Sequence, residues 1–166
     1  NPVTGIIKNY RYNQKDTTSL IRDLVMCIFE DRSGTIWIGT DGLCSYNRKS
    51  DNFTRYPFYD FIFTLYEDRK GQLLIPTYFE IKKVDKINKT FLTLQKDTSM
   101  PGYTGLLFED KQNNIWLNKN DELFLLNPQK KKLQKFSDKD GLFYERINGI
   151  SEDAKGNIWV NGLRGI

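Results

Sequence analysis

Glu30-Asp31-Arg32-Ser33-Gly34-Thr35-Ile36-Trp37-Ile38 closes one β-prone run, turns, and opens another, and the chain repeats the phrase four times. The second copy is Glu67-Asp68-Arg69-Lys70-Gly71-Gln72-Leu73-Leu74-Ile75. The third is Glu109-Asp110-Lys111-Gln112-Asn113-Asn114-Ile115-Trp116-Leu117, and the fourth Glu152-Asp153-Ala154-Lys155-Gly156-Asn157-Ile158-Trp159-Val160. The aspartates stand at 31, 68, 110 and 153, so the intervals are 37, 42 and 43 residues, the period of one small supersecondary unit. Apolar runs on both sides of a short polar turn predict a hairpin. The fourth turn residue is Gly34, Gly71, Asn113 or Gly156. A tight turn calls for positive φ at this point, which glycine adopts freely and asparagine tolerates best among the rest.

Working outward, residues 43–47 and 53–56 read as a third and a fourth strand, and residues 81–85 with 91–94 and 123–127 with 133–136 fall in the same register. The unit is a four-stranded antiparallel meander. Residues 1–10 repeat the spacing of 127–136, so the chain begins late in one unit, and Gly162 to Ile166 resembles Gly39 to Leu43 with one residue inserted. Meanders of about 40 residues are the expected period of β-propeller blades, which close in rings of roughly four to eight. The expected fold class is therefore all-β, an incomplete β-propeller segment spanning residues 1–166. It would hold a partial blade at 1–12, blades at about 20–56, 60–94 and 103–136, and a partial blade at 146–166.

Composition agrees with strands. Aromatic residues make up 14%, with nine Tyr and eleven Phe, a set suited to pleated, half-buried surfaces. Residues 24–29 form the longest apolar stretch, far short of the roughly 20 needed to cross a bilayer as a helix. Without an initiator Met or a leader-like start, residue 1 is expected to be a processed end or a boundary within a longer chain. The net charge of +4 is scattered apart from Lys130, Lys131 and Lys132 in a turn, so no basic stripe for nucleic acid is expected.

The run Ile28-Phe29-Glu30-Asp31-Arg32-Ser33-Gly34-Thr35-Ile36-Trp37-Ile38-Gly39-Thr40-Asp41-Gly42-Leu43, followed by Tyr46-Asn47 and Phe53-Thr54-Arg55-Tyr56, resembles the two-component-regulator propeller repeat. That resemblance covers nearly the whole chain. It implies a segment of the periplasmic sensor region of a Bacteroides-type hybrid two-component histidine kinase. It further implies detection of glycan fragments, signalling through a homodimer of the full-length protein, and the rest of the same polypeptide as a partner. The second unit departs from the pattern: Leu74 stands where the others have Trp, and Pro76-Thr77-Tyr78-Phe79-Glu80 replaces Gly39-Thr40-Asp41-Gly42.

The chain has no histidine, which removes Ser-His-Asp and Cys-His catalysis and the commonest metal ligand. No catalytic residue, metal or cofactor is expected in this segment. Cys27 and Cys44 fall on the first and third strands of one blade, roughly twice 4.8 Å apart, too far for a disulfide, so free thiols are expected. The Glu-Asp pairs recur at every turn, which fits turn chemistry better than carboxylate dyads. Trp37, Trp116 and Trp159 hold equivalent positions and read as packing between blades.

Function is expected on the connections between units, which share a face with the odd turn at 77–80. Sugars take aromatic faces against their apolar ring surfaces and planar polar groups against their hydroxyls. Arg22, Tyr59, Tyr78, Tyr103, Tyr144 and Arg146 therefore form the candidate ligand-binding set. A carbohydrate-active propeller hydrolase or lyase is the alternative, and Asp23, Asp60, Glu80 and Glu145 are the carboxylates at non-repeating positions that could serve it. A protein-binding scaffold is the third reading.

Overall fold

The computed structural model describes residues 3–96, 102, 104–127, 129, 132–142, 146–163 and 165. Its ordered elements are strands, apart from a single 3-10 turn at Asp138–Asp140. The first sheet runs β1 (Cys27–Glu30), β2 (Ile36–Gly39), β3 (Leu43–Asn47), β4 (Asn52–Tyr56), each antiparallel to its neighbour. The second holds β5 (Tyr66–Glu67), β6 (Leu73–Pro76), β7 (Glu80–Asp85) and β8 (Thr90–Lys96). The third holds β9 (Thr104–Glu109), β10 (Ile115–Lys119), β11 (Glu122–Asn127) and β12 (Lys132–Phe136). A two-stranded sheet, β13 (Gly149–Glu152) with β14 (Ile158–Asn161), follows. These are propeller blades, strand order following chain order in every sheet.

Alternation along the strands decides how the blades stack. In β2, Trp37 points to one side and Ile36 and Ile38 to the other. The Trp37 side packs with Leu43 and Tyr56 onto Leu73, Ile75 and Val84 of the second blade, forming one buried cluster. Leu74 and Ile81 on the far side of that blade meet Ile115, Leu117, Phe124 and Leu126 of the third. The core is thus a series of interfaces between sheets, each built from one face of two successive meanders.

The opposite side of the first sheet, with Ile38, Cys44 and Phe53, is covered by Leu20 and flanked by Tyr10, Ile21, Ile36 and Tyr46. Arg55 fixes this N-terminal cover. Its guanidinium donates to the carbonyls of Ser19 (3.0 Å), Asp16 (2.9 Å), Leu20 (2.9 Å) and Asn13 (3.3 Å), so one side chain satisfies a loop with few ladder bonds of its own. Residues 3–12, read from sequence as the end of a preceding unit, make no strand. Among the described residues their one backbone bridge is a parallel one from Tyr12 to Leu20. Side chains also place this segment: Tyr10 lies edge-on to Phe53 at 5.2 Å and shares hydrogen bonds with Tyr46 and Asp51.

Candidate functional site

In a meander the turns alternate between two faces. One face carries the β1–β2, β5–β6, β9–β10 and β13–β14 turns, and there the repeated aspartate builds the turn. Asp31 Oδ1 accepts the N–H groups of Ser33 and Thr35, both at 3.0 Å, while Oδ2 accepts the Trp37 indole at 2.8 Å and the Lys86 ammonium at 2.7 Å. Asp110 and Asp153 repeat this with Gln112, Asn114 and Trp116 and with Lys155, Asn157 and Trp159. Asp68 holds Lys70 and Gln72 alone, since Leu74 offers no indole. Gly34, Gly71, Asn113 and Gly156 all sit at positive φ, between 63° and 89°, as the turn requires.

Burial works against the charged form of Asp31, yet the Lys86 ammonium, the Ser33 hydroxyl, the Trp37 indole and the Thr35 amide together hold its carboxyl well below the usual range. Asp153 is lowered to about 2 by the Asn157 side chain and backbone, with help from Trp159 and Lys155. These are turn-building carboxylates, as the sequence pattern predicts.

The glutamates of the same phrase do something different. Glu67 Oε2 accepts the backbone N–H of Arg32, in the turn of the preceding blade, at 2.8 Å; Glu109 accepts that of Arg69 at 2.6 Å and Glu152 that of Lys111 at 2.9 Å. Each glutamate stitches its blade to the one before. This face is committed to structure.

The opposite face carries the β2–β3, β6–β7 and β10–β11 turns and the connections between blades, which are tied to one another by backbone bonds. Ile62 N–H reaches Thr40 O at 2.8 Å, and Gly102 N–H reaches Tyr78 O at 3.1 Å. Gly39 is needed here because a Cβ would stand 2.5 Å from Cys27 Sγ and 2.8 Å from the Ile62 carbonyl.

The described members of the candidate set fall on this face, spread from the segment before the first blade to the connection before the fourth sheet. Arg22 donates to Asp41 at 3.0 Å and lies 5.6 Å from the centre of the Tyr12 ring. Tyr59, 83% exposed, stands in the β4–β5 connection. Tyr78 packs edge-on against Phe79 at 4.8 Å in the β6–β7 turn. Arg146 is exposed just before β13. The chain neighbours of Arg22 and Tyr59, Ile21 and Phe58, both lie against Gly42 of the first blade, whereas Tyr78 and Arg146 belong to other blades. Tyr103 and Tyr144 lie outside the described residues.

The sequence reading missed Phe61, Phe63 and Phe79, which are 40%, 41% and 43% exposed on the same face. Along 58–65, Phe58, Ile62 and Leu65 are buried while Tyr59, Phe61 and Phe63 are exposed; inward and outward side chains alike are apolar or aromatic, so no polar-apolar alternation marks the outward rings in the sequence. Phe61 and Phe63 lie 6.2 Å apart, ring to ring.

The non-repeating carboxylates are otherwise engaged. Asp23 accepts Tyr12 N–H at 2.7 Å, Asp60 accepts Phe61 N–H at 2.8 Å, and Glu80 accepts from Lys82 and Thr93. Glu145 lies outside the described residues. Between the second and third blades a crevice lined by Thr77, Glu80, Thr104, Leu117, Lys119 and Phe124 holds ≈ 20 Å³, about one water molecule. It is too small for a sugar ring, so a ligand on this face would rest on the exposed aromatic surface. Among the described residues no group of three or more acidic or thiol side chains is arranged to hold a metal ion. Cys27 and Cys44 are free and point to opposite sides of their sheet; burial pushes the Cys27 thiol up to about 11.

The family described as two component regulator propeller matches residues 19–42, which hold the first two strands of the first blade and the turn between them. A comparison with curated proteins finds no match. Among solved structures, the extracellular domain of a protein described as a hybrid two component system of B. thetaiotaomicron superposes with a TM-score of 0.70 at 20% identity. It aligns with 95% of this chain and 22% of its own. A second B. thetaiotaomicron extracellular domain, described as a one component system, gives 0.73 at 19% identity over 88% of this chain and 21% of its own. Virginiamycin B lyase of Staphylococcus aureus gives 0.65 at 13% identity over 84% of this chain and 49% of its own. The chain thus spans about a fifth of the length of the two extracellular domains. The likeness establishes the propeller fold, and the match to the two-component-regulator propeller family is confined to residues 19–42.

Proposed function

We propose that this chain is a stretch of an extracytoplasmic sensor propeller that binds an oligosaccharide on the face carrying the inter-blade connections. It does no chemistry on its ligand and passes the binding event to a histidine kinase elsewhere in the same polypeptide, in a periplasmic, dimeric setting. The observation that carries this reading is the division of labour between the two faces. The Asp and Glu side chains of the repeat are consumed on one face in holding turns and joining blades. The other presents Tyr59, Phe61, Phe63 and Phe79 to solvent and also carries the Arg22–Asp41 pair. Exposed rings and planar donors on one face suit the apolar faces and hydroxyls of sugars.

The experiment is calorimetric titration of the chain with a panel of oligosaccharides, alongside Tyr59→Ala and Arg22→Ala, with mass spectrometry of the ligand after prolonged incubation. Binding that weakens about tenfold in each variant, with the ligand recovered intact, is the expected result. Cleaved or eliminated product would put the carbohydrate-active enzyme in its place, and binding indifferent to both substitutions would move the site off this face.

A further inference from the structure

The odd turn of the second blade, Pro76-Thr77-Tyr78-Phe79-Glu80, is longer than its counterpart Gly39-Thr40-Asp41-Gly42 and packs differently. In the first blade the Thr40 hydroxyl donates to Gly42 O at 3.1 Å, and the Thr40 carbonyl accepts the Ile62 N–H. Ile62, fully buried, lies against Gly39 and fills the space beside the turn. In the second blade the threonine hydroxyl changes role. Thr77 Oγ1 accepts the Glu80 N–H at 3.2 Å, and its own O–H meets no acceptor among the described residues. Beside it lies the crevice of ≈ 20 Å³ between the second and third blades.

Part of the crevice wall is the apolar seam of Ile81, Leu117 and Phe124, yet three polar side chains line it as well. Thr77 and Thr104 are each 3% exposed and Lys119 is 8% exposed. No described group donates to the Thr104 hydroxyl or accepts from it. Polar groups drawn so far out of bulk water cost free energy unless something pairs with them, and a space of this size admits one water oxygen. Glu80, on the same wall, is held by Lys82, by the Thr93 hydroxyl at 2.7 Å and by Lys96 at 3.6 Å. Phe79, 43% exposed, lines the crevice and also presents its ring to solvent.

We propose that this crevice is a hydroxymethyl subsite: a hexose lies on Phe79 and sends its primary hydroxyl between Thr77 and Thr104, in place of one water. The inference rests on the oligosaccharide reading above and narrows it to sugars that carry a primary hydroxyl, as against pentoses and sugars with a methyl group there. Size and polarity both require it. A hydroxyl oxygen accepts from Thr77 and exchanges a hydrogen bond with Thr104 as water does, so the exchange loses little. A methyl group fits but leaves the threonine hydroxyls unpaired, and a bare hydrogen leaves the crevice unused. A carboxylate or an acetamido group exceeds the volume of one water.

The test is titration followed by the methyl NMR signals of Thr77 and Thr104, with probe pairs that differ at this one group. These are methyl galactoside against methyl fucoside of the same configuration, methyl mannoside against methyl rhamnoside of the same configuration, and cellotetraose against xylotetraose. Binding is expected at least about tenfold tighter for the member with the primary hydroxyl in the pair whose stereochemistry fits, with both threonine signals moving. Thr104→Val should cut that preference below about threefold and leave the other member's affinity unchanged, while Thr104→Ser should keep it. If Thr104→Val fails to fold, the probe pairs and Thr104→Ser decide. Binding without a preference, or a preference that Thr104→Val leaves intact, overturns the subsite alone. So does failure of every probe while another oligosaccharide of the panel binds. Binding of no sugar at all overturns the oligosaccharide reading and the subsite with it.

Discussion

Replacing Asp31 by alanine should cost far more than replacing Asp68, although the two hold the same place in their turns. Asp68 accepts two backbone N–H groups, Lys70 at 3.0 Å and Gln72 at 2.7 Å, in a turn that water can reach. Losing a side-chain cap of that kind costs about 1–2 kcal/mol. Asp31 makes the equivalent pair of bonds and also holds the Trp37 indole, which is 1% exposed, and the Lys86 ammonium. A buried indole N–H left without an acceptor adds about 1–3 kcal/mol. Lys86, 33% exposed, can return to water and adds at most about 1 kcal/mol. The expected losses are thus about 2–6 kcal/mol for Asp31→Ala and about 1–2 kcal/mol for Asp68→Ala. Urea unfolding followed by far-ultraviolet circular dichroism reads both. A Trp37→Phe background supplies the control, because there the cost of Asp31→Ala should fall towards that of Asp68→Ala. Equal losses in the two turns, or no change in the Trp37→Phe background, would refute the assignment of the extra stability to the buried indole.

Asp31, Asp110 and Asp153 all have carboxyl groups held below their ordinary range, Asp153 at about 2. The stability they contribute is complete above the unfolded value near 4 and is lost as pH falls through the folded values. Thermal scans should therefore show a melting temperature that falls below about pH 4, less steeply in Asp31→Asn. With Cys44 fully buried and the Cys27 thiol pushed up to about 11, both should resist a thiol reagent at neutral pH and label together on adding denaturant. Glu109→Gln exchanges a charged acceptor for a neutral one opposite Arg69 N–H and should cost about 1 kcal/mol, whereas Glu30→Gln, which breaks only an exposed pair with Arg48, should stay within about 0.5 kcal/mol.

Much of this was legible because the repeat writes its turns in local code. The spacing of aspartates, the glycine or Asn113 three residues later and the alternation around Trp37 and Trp116 all act within one hairpin, so they mark strands and turns without knowledge of neighbours. The glutamate beside each aspartate shows the limit. Its partner stands 35 to 41 residues away in the previous blade, so nothing local separates an inter-blade contact from a second turn carboxylate. Trp37 and Trp159 look alike in sequence and differ in exposure only because a following meander covers one of them. The candidate set shares a face by topology, while closeness depends on the curvature of the run, which spacing does not encode.

The connection at 58–65 offers the sharpest separation of scaffold from binding surface. Phe58, Ile62 and Leu65 are 6%, 0% and 6% exposed and belong to the cluster between the first two blades, whereas Tyr59, Phe61 and Phe63 project outward. Truncating Ile62 or Leu65 to alanine should cost about 2–5 kcal/mol through the cavity left behind. Changing the three outward aromatics together to serine should leave the stability within about 1 kcal/mol, since each gives up little buried surface. If the outward set supports binding, that triple variant should keep its urea midpoint and lose its ligand. A loss of stability as large as that of Ile62→Ala would mean that the three rings are packing residues, and the connection could not then serve as a freely variable recognition surface.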